Sequence, residues 1–170
     1  MQDRKAPVFV AATCNNVTAL PPELIRKGRF DELFFADLPN QTERKQIFSI
    51  QLSKRGRDPG KFDLDRVALA AKGYSGAEIG AAVQSAMYAA YSQAKIVWER
   101  VSDLSGRVKD PPPHGQTQDL DAQTLLDALK STVPLSTTRA EEIEALRTWA
   151  RDRAVPASLA DTEAARVSSH

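Results

Sequence analysis

"PVFVAATCNNVTALPPELIRKGRFDELFFADLP", residues 7–39, decides the fold class because it contains both strand candidates of the chain. The apolar run at 7–14 is rich in β-branched and small residues, which predicts a strand buried on both faces of a parallel sheet. The run at 32–39 predicts a second strand that ends at a proline. Two strands make no stable sheet alone, so we interpret 1–39 as the remnant of a larger α/β sheet.

Polar caps predict that the rest of the chain is helical. A Ser, Thr or Asn followed three residues later by Glu forms a capping box, in which the two side chains satisfy backbone N–H groups at the helix start. A single Asp can also cap a helix. The helix starts predicted in this way are Asn40 with Glu43, Asp63, Ser75 with Glu78, and Thr138 with Glu141. We expect a further helix at 121–133.

The predicted fold class is therefore mainly α, with about two strands followed by a helical domain. We place the sheet remnant at 1–39 and the helical domain at 40–155. We expect the long helix that Ser75 opens to end near Val101, because three successive prolines exclude a helix from the exposed loop near 102–119. The small, polar residues of 156–170 predict a disordered tail.

Composition excludes several classes of protein. The 170 residues are about one domain long, and 23 basic against 22 acidic side chains indicate neither a nucleic-acid nor a membrane partner. A single cysteine, Cys14, excludes an internal disulfide. His114 and His170 have no companion ligands in the sequence, so we predict no metal site. No run approaches the ~20 apolar residues of a transmembrane helix.

Two motifs carry a resemblance to a known family. The run from Phe9 to Pro39, with "PPELIRKGRFDE" at its centre, and "GYSGAEIGAAVQSAM" at 73–87 resemble the AAA family of ATPases. The resemblance covers about 7–130. It implies that 1–39 is the end of a P-loop α/β sheet and that 40–155 is the family's helical lid. The segment at 125–158 further resembles the poorly characterised AAA ATPases of cyanobacteria and plastids.

The resemblance assigns roles to two arginines. Arg26 and Arg29 resemble arginine fingers, which one subunit offers to the γ-phosphate of ATP bound by its neighbour. A planar guanidinium that is always charged suits this task, because phosphoryl transfer gathers negative charge on the phosphate oxygens. The alternative is structural, with the arginines paired to Asp31 or Glu32.

Further roles fall on Asn15, Gly76 and Ala77. Asn15 resembles the sensor residue that orients the attacking water, although the spacing leaves Cys14 and Asn16 as alternatives, and asparagines here could simply shape a turn. Gly76 and Ala77 resemble the lid's contact with the base and ribose of the nucleotide. An ordinary capped helix explains Ser75 and Glu78 equally well.

The phosphate-binding loop is missing from the sequence. "GRDPGKF" at 56–62 is one residue short between its glycines and lacks the final Ser or Thr, and no acidic strand end for Mg²⁺ precedes the arginines. We therefore expect ATP and Mg²⁺ as cofactors of a complete protein and none for this chain alone, which should be inactive by itself. Whether Met1 is a natural start or a truncation stays open.

Two functions remain open at this point. In the first, the chain is the distal part of an AAA ATPase and acts in a ring with other AAA subunits, without nucleic acid or membrane. In the second, it is a non-enzymatic, lid-like interaction module that binds or regulates AAA rings. We expect a cytoplasmic or plastid stromal location. The substrate, the pathway and the ring size cannot be read from the sequence.

Overall fold

The mainly α fold class is confirmed. This computed structural model describes residues 8–25, 29–105 and 120–158, without the side chains of Thr18, Pro22, Ile25 and 97–105. The helices are α1 (Pro22–Ile25), α2 (Gln41–Ser53), α3 (Leu64–Ala70), α4 (Gly76–Ser105), α5 (Ala122–Lys130), α6 (Leu135–Thr138) and α7 (Ala140–Ala150). The strands are β1 (Phe34–Phe35) and β2 (Val155–Pro156).

The chain forms two compact units. The residues up to Asp37 together with Glu141–Ala157 form the first, here called the strand unit, and Leu38–Ala140 belong to the second, here called the helical unit. Only Ala150 is buried among the described residues of the strand unit. The helical unit holds the hydrophobic core, so it supplies most of the apolar burial that stabilises the described structure.

Local caps begin the helices of the helical unit as predicted. Asn40 Oδ1 accepts a hydrogen bond from the Glu43 N–H at 2.9 Å, while Glu43 Oε2 accepts one from the Asn40 N–H at 2.9 Å. This capping box starts α2 and is confirmed. Asp63 caps α3 by accepting a hydrogen bond from the Arg66 N–H at 3.1 Å, also as predicted.

The core lies where α2, α3, α4 and α5 meet. Its fully buried large side chains are Phe48, Leu52, Val67, Ile79, Val83, Leu125 and Leu129. The sequence analysis predicted the caps of α2, α3 and α4, but the helix expected at 121–133 is shorter, and α4 continues to Ser105, past its predicted end at Val101. The first four residues of the predicted loop near 102–119 are thus helical, and residues 106–119 lie outside the described part of the chain.

The strand predicted at 7–14 is wrong for the residues that the structure describes. Val8–Cys14 are exposed and belong to no strand. A strand needs a hydrogen-bonded neighbour, and in the described residues the sheet pairs β1 in parallel with β2 instead. The prediction at 32–39 is confirmed only for the short strand β1.

The C-terminal helix also differs from its prediction. Thr138 ends α6 instead of capping the next helix. The helical path is interrupted at Arg139, whose φ of −132° and ψ of 37° are not helical. Pro156, the first residue of the predicted tail, lies in β2. Residues 159–170 lie outside the described part of the chain, so the disordered tail stays a prediction there.

Candidate functional site

Arg29 is exposed in a turn of the strand unit, directly before the Phe30–β1 segment. Among the described residues its side chain forms no ion pair or hydrogen bond, so it is not paired to Asp31 or Glu32 as the structural alternative required. The other predicted finger, Arg26, lies outside the described residues. Arg29 is thus a guanidinium at the surface of its unit with no carboxylate partner in the part of the chain that the structure describes.

The strand that follows Arg29 is fixed from the far end of the chain. The Val155 N–H donates to the Leu33 carbonyl at 2.8 Å, and the Ala157 N–H donates to the Phe35 carbonyl at 2.8 Å. Both hydrogen bonds belong to the parallel pairing of β1 with β2. The turn that presents Arg29 therefore leads into a strand whose position depends on residues more than a hundred positions away.

A second anchor holds the end of this strand segment. Arg147 on α7 forms a two-pronged ion pair with Asp37, with Nε 2.8 Å from Oδ2 and Nη2 3.0 Å from Oδ1. Its hydrogen bond to the Asp37 carboxylate raises the pKa of the Arg147 guanidinium, and Glu144 adds a smaller contribution. Parallel N–H···O bonds of this kind restrict geometry as well as adding energy, so they hold α7 against the end of the strand segment.

The three candidates for the sensor position lie at the end of the segment predicted as a strand or directly after it. Cys14, Asn15 and Asn16 are all exposed. Asn16 has an interaction with its surroundings, whereas the Asn15 side chain forms no hydrogen bond with a described residue. Asn15 and Arg29 both belong to the strand unit, and no hydrogen bond joins their side chains.

Gly76 and Ala77 form the first turn of α4 in the helical unit. The Ser75–Glu78 capping box is confirmed: Glu78 Oε2 accepts from the Ser75 N–H at 2.7 Å and from Ser75 Oγ at 2.8 Å. A carboxylate already occupies this helix start, where the helix dipole favours negative charge. The Glu78 carboxylate would repel a further negative charge at this place.

The two glycines of this motif differ in what the fold demands of them. Gly73 has a φ of +85°, and a Cβ built on it would overlap the side chain of Ser136. A Cβ built on Gly76 would meet only Ile47 Cδ1, at 3.6 Å, which is ordinary van der Waals contact. The fold therefore requires glycine at 73, whereas nothing in the described structure requires it at 76.

Two buried polar groups of the helical unit were missed by the sequence analysis. Arg44 is only 7% exposed and donates from Nε to the Ala68 carbonyl at 2.8 Å and from Nη1 to the Pro39 carbonyl at 2.7 Å. Tyr74 is 5% exposed and its hydroxyl reaches the end of α5. Arg44 could have been found, because it lies four residues before Phe48 on the buried face of α2.

Neither a membrane span nor a metal site is found in the part of the chain that the structure describes. No helix there has an apolar run long enough to cross a bilayer. Histidine, cysteine, aspartate and glutamate side chains do not gather there in threes as metal ligands would.

Comparison with known proteins identifies relatives along nearly the whole chain. An uncharacterised AAA domain-containing protein, ycf46, of Pyropia yezoensis is 40% identical over 94% of this chain and 28% of its own length. The protein of the same name from Guillardia theta is 35% identical over 88% of this chain and 25% of its own length. A proteasome-activating nucleotidase of Sulfurisphaera tokodaii is 44% identical over 42% of this chain and 18% of its own length.

No protein-family model matches the chain. The chain spans about a quarter of the length of the curated ycf46 relatives that it matches. Identity of 35–40% over almost all of its residues reflects common descent, and the mainly α fold agrees with the assignment. The chain belongs to the AAA family of ATPases.

Proposed function

We propose that this chain is the distal part of an AAA ATPase and supplies three elements to ATP hydrolysis in a ring of AAA subunits. Arg29, with Arg26, acts as an arginine finger on the nucleotide of the neighbouring subunit. Asn15 is the sensor that orients the attacking water. Gly76 and Ala77 contact the base and ribose. ATP and Mg²⁺ are bound in the complete protein, through a phosphate-binding loop that these 170 residues lack.

The observation that carries this proposal is the state of Arg29. The structural alternative for Arg29 was a pairing with Asp31 or Glu32, yet Arg29 is exposed and has no carboxylate partner among the described residues. Arg147 of the same unit shows the contrast, because its guanidinium forms a two-pronged ion pair with Asp37. A charge left at the surface is available to a group outside the unit, and a triphosphate carries the charge and oxygen geometry that a guanidinium binds best.

The chemistry of the proposed arginine finger follows from the positive charge of its guanidinium. Negative charge spreads over the three equatorial oxygens of the γ-phosphoryl group as it is transferred, and a guanidinium neutralises that charge. Supplying it from a second subunit makes hydrolysis depend on assembly. Such a finger contributes about 10³- to 10⁵-fold to the rate. With no phosphate-binding loop in its sequence, the chain alone is expected to be inactive.

Gly76 supports the lid part of the proposal. The described structure leaves room for a methyl group at this position and demands no unusual backbone angle. A glycine that its own fold does not need is consistent with close approach of a ligand to the backbone. The fold therefore explains the glycine at position 73, and the proposed nucleotide contact would explain the glycine at position 76.

The test is a chimera in which this chain replaces the matching 28% of the Pyropia yezoensis relative. We expect Arg29→Ala to lower ATP turnover about 10³-fold or more while the dissociation constant for ATP stays unchanged. Arg151→Ala is the matched control, since Arg151 is another exposed arginine of the strand unit. Full turnover of the Arg29→Ala chimera would refute the finger.

A second measurement separates the interaction-module alternative. The 170-residue chain is added to the complete Pyropia yezoensis relative, and ATP turnover is followed as the chain is titrated. Suppose that ATP turnover of the relative changes as the chain is added and that Arg29→Ala leaves turnover of the chimera unchanged. This combination would favour a module that regulates AAA rings. For both candidate functions we propose a location in the cytoplasm or the plastid stroma.

A further inference from the structure

Tyr74 connects the start of α4 to the end of α5. Its hydroxyl lies 2.7 Å from the Leu129 carbonyl oxygen and 2.6 Å from the Thr132 carbonyl oxygen. A tyrosine hydroxyl has one proton, which the two carbonyls share. The Leu129 carbonyl also accepts the Thr132 N–H at 3.0 Å, whereas the Tyr74 hydroxyl is the one donor to the Thr132 carbonyl among the described residues.

Gly73 contacts the chain beyond the end of α5, as Tyr74 does, but through a different residue. The Ser136 N–H donates to the Gly73 carbonyl at 3.3 Å. The Ser136 side chain also fills the space in which any other residue at 73 would carry its Cβ. Residues 73 and 74 are therefore both held by the segment Leu129–Ser136, which runs from the end of α5 into α6 and is here called the α5–α6 turn.

These contacts stand directly before the candidate nucleotide contact. Tyr74 lies two residues ahead of Gly76, and the Ser75–Glu78 capping box in between fixes the backbone of this short connection. The preceding helix α3 ends at Ala70 and reaches this point only through a turn. The first turn of α4 is thus tied to the α5–α6 turn, more than fifty residues further along the chain.

We infer that Tyr74 is a positioning residue of the nucleotide site, which holds Gly76 and Ala77 in place through its hydrogen bonds to the α5–α6 turn. This inference rests on the proposed lid contact. Tyr74 itself touches no nucleotide. Because the anchor is a hydroxyl shared by two carbonyls, Tyr74→Phe removes it while keeping the buried ring.

The first experiment is hydrogen exchange on the 170-residue chain. The Ile79 N–H donates to the Ser75 carbonyl at 3.1 Å, a hydrogen bond of the helical i to i−4 type in the first turn of α4. We expect Tyr74→Phe to speed exchange of the Ile79 amide roughly 2- to 10-fold relative to the Val83 amide in the middle of the helix. Val67→Ala, a core truncation on α3, is the control and should speed both amides alike.

The second experiment measures ATP turnover in the chimera described above. We expect Tyr74→Phe to raise KM for ATP roughly 2- to 10-fold at unchanged kcat, the range that one hydrogen bond provides. Val67→Ala should leave KM unchanged even if it lowers the unfolding midpoint by more than Tyr74→Phe does. A purely structural tyrosine would move stability in the same way but not KM.

The outcomes separate the inference from the function on which it rests. Unchanged exchange at Ile79 in Tyr74→Phe overturns the inference, while a raised KM in Gly76→Ala would still support the lid contact. Faster exchange at Ile79 with an unchanged KM in both Tyr74→Phe and Gly76→Ala overturns the inference and the lid contact together. Faster exchange with a raised KM in both variants supports both.

Discussion

Substitution of Gly73 by alanine tests the packing of the α5–α6 turn most directly. The backbone of Gly73 has a φ of +85°, a region that costs an L-residue about 1–2 kcal/mol. The added Cβ would also lie 3.0 Å from Ser136 Cβ, which is tighter than nine in ten such contacts, and would overlap the serine hydroxyl. Overpacking of this kind costs about 1–3 kcal/mol more.

The two costs are partly offset in the unfolded chain. Alanine has fewer unfolded conformations than glycine, which returns about 0.4–1 kcal/mol. We therefore expect Gly73→Ala to lower the free energy of unfolding by about 1.5–4 kcal/mol. Urea unfolding of the 170-residue chain, followed by helical circular dichroism, measures the change, provided that the m-value stays constant.

Gly56 supplies a matched control. Its φ is +69°, but a Cβ built there meets no atom within 4 Å. Gly56→Ala should therefore show the backbone cost without the overlap, about 1 kcal/mol. Adding Ser136→Gly to Gly73→Ala should recover about 1–3 kcal/mol in a double-mutant cycle. Equal losses for Gly73→Ala and Gly56→Ala, or no coupling between positions 73 and 136, would refute the reasoning.

Two further predictions concern the buried polar groups of the helical unit. Arg44→Met should lower the free energy of unfolding by about 2–4 kcal/mol, because it leaves the Ala68 and Pro39 carbonyls without their charged donor. The exposed control Arg66→Met should change it by no more than about 0.5 kcal/mol in the same urea titration. A loss for Arg44→Met no larger than the control's would contradict the role assigned to Arg44. Burial raises the pKa of the Tyr74 hydroxyl, and the nearby Glu78 carboxylate raises it further. The stabilisation that depends on the neutral hydroxyl is therefore complete below pH 10 and is lost as the pH rises through the folded-state pKa. Urea midpoints between pH 9 and pH 11 should show this decline, and a Tyr74→Phe variant that declines equally would rule out Tyr74 as its source.

The caps show what could be predicted locally. Asn40 with Glu43 and Ser75 with Glu78 make their hydrogen bonds across three residues, so residue type and spacing alone predict them. The AAA motifs belong to the same class of signal, since their residues follow one another closely. They were sufficient to recognise the family and the mainly α fold.

The strand unit shows where such reasoning fails. The apolar run at Val8–Cys14 has the composition of a buried strand, but composition cannot supply the neighbour that a strand requires. Val155 and Pro156 have no strand pattern of their own, yet they pair with β1 because the fold brings them beside it. Pairing of this kind depends on the positions of both partners, which a single stretch of sequence does not contain.

The candidate site divides along the same line. The sequence by itself determined the helix starts, the family and the residues worth testing, because each depends on contacts within a few positions or on motif order. Only the tertiary structure decided that Arg29 is unpaired among the described residues, that Gly73 is required by Ser136, and that Tyr74 reaches the end of α5. These facts depend on distances between residues far apart in the chain, and such distances exist only once the chain has folded.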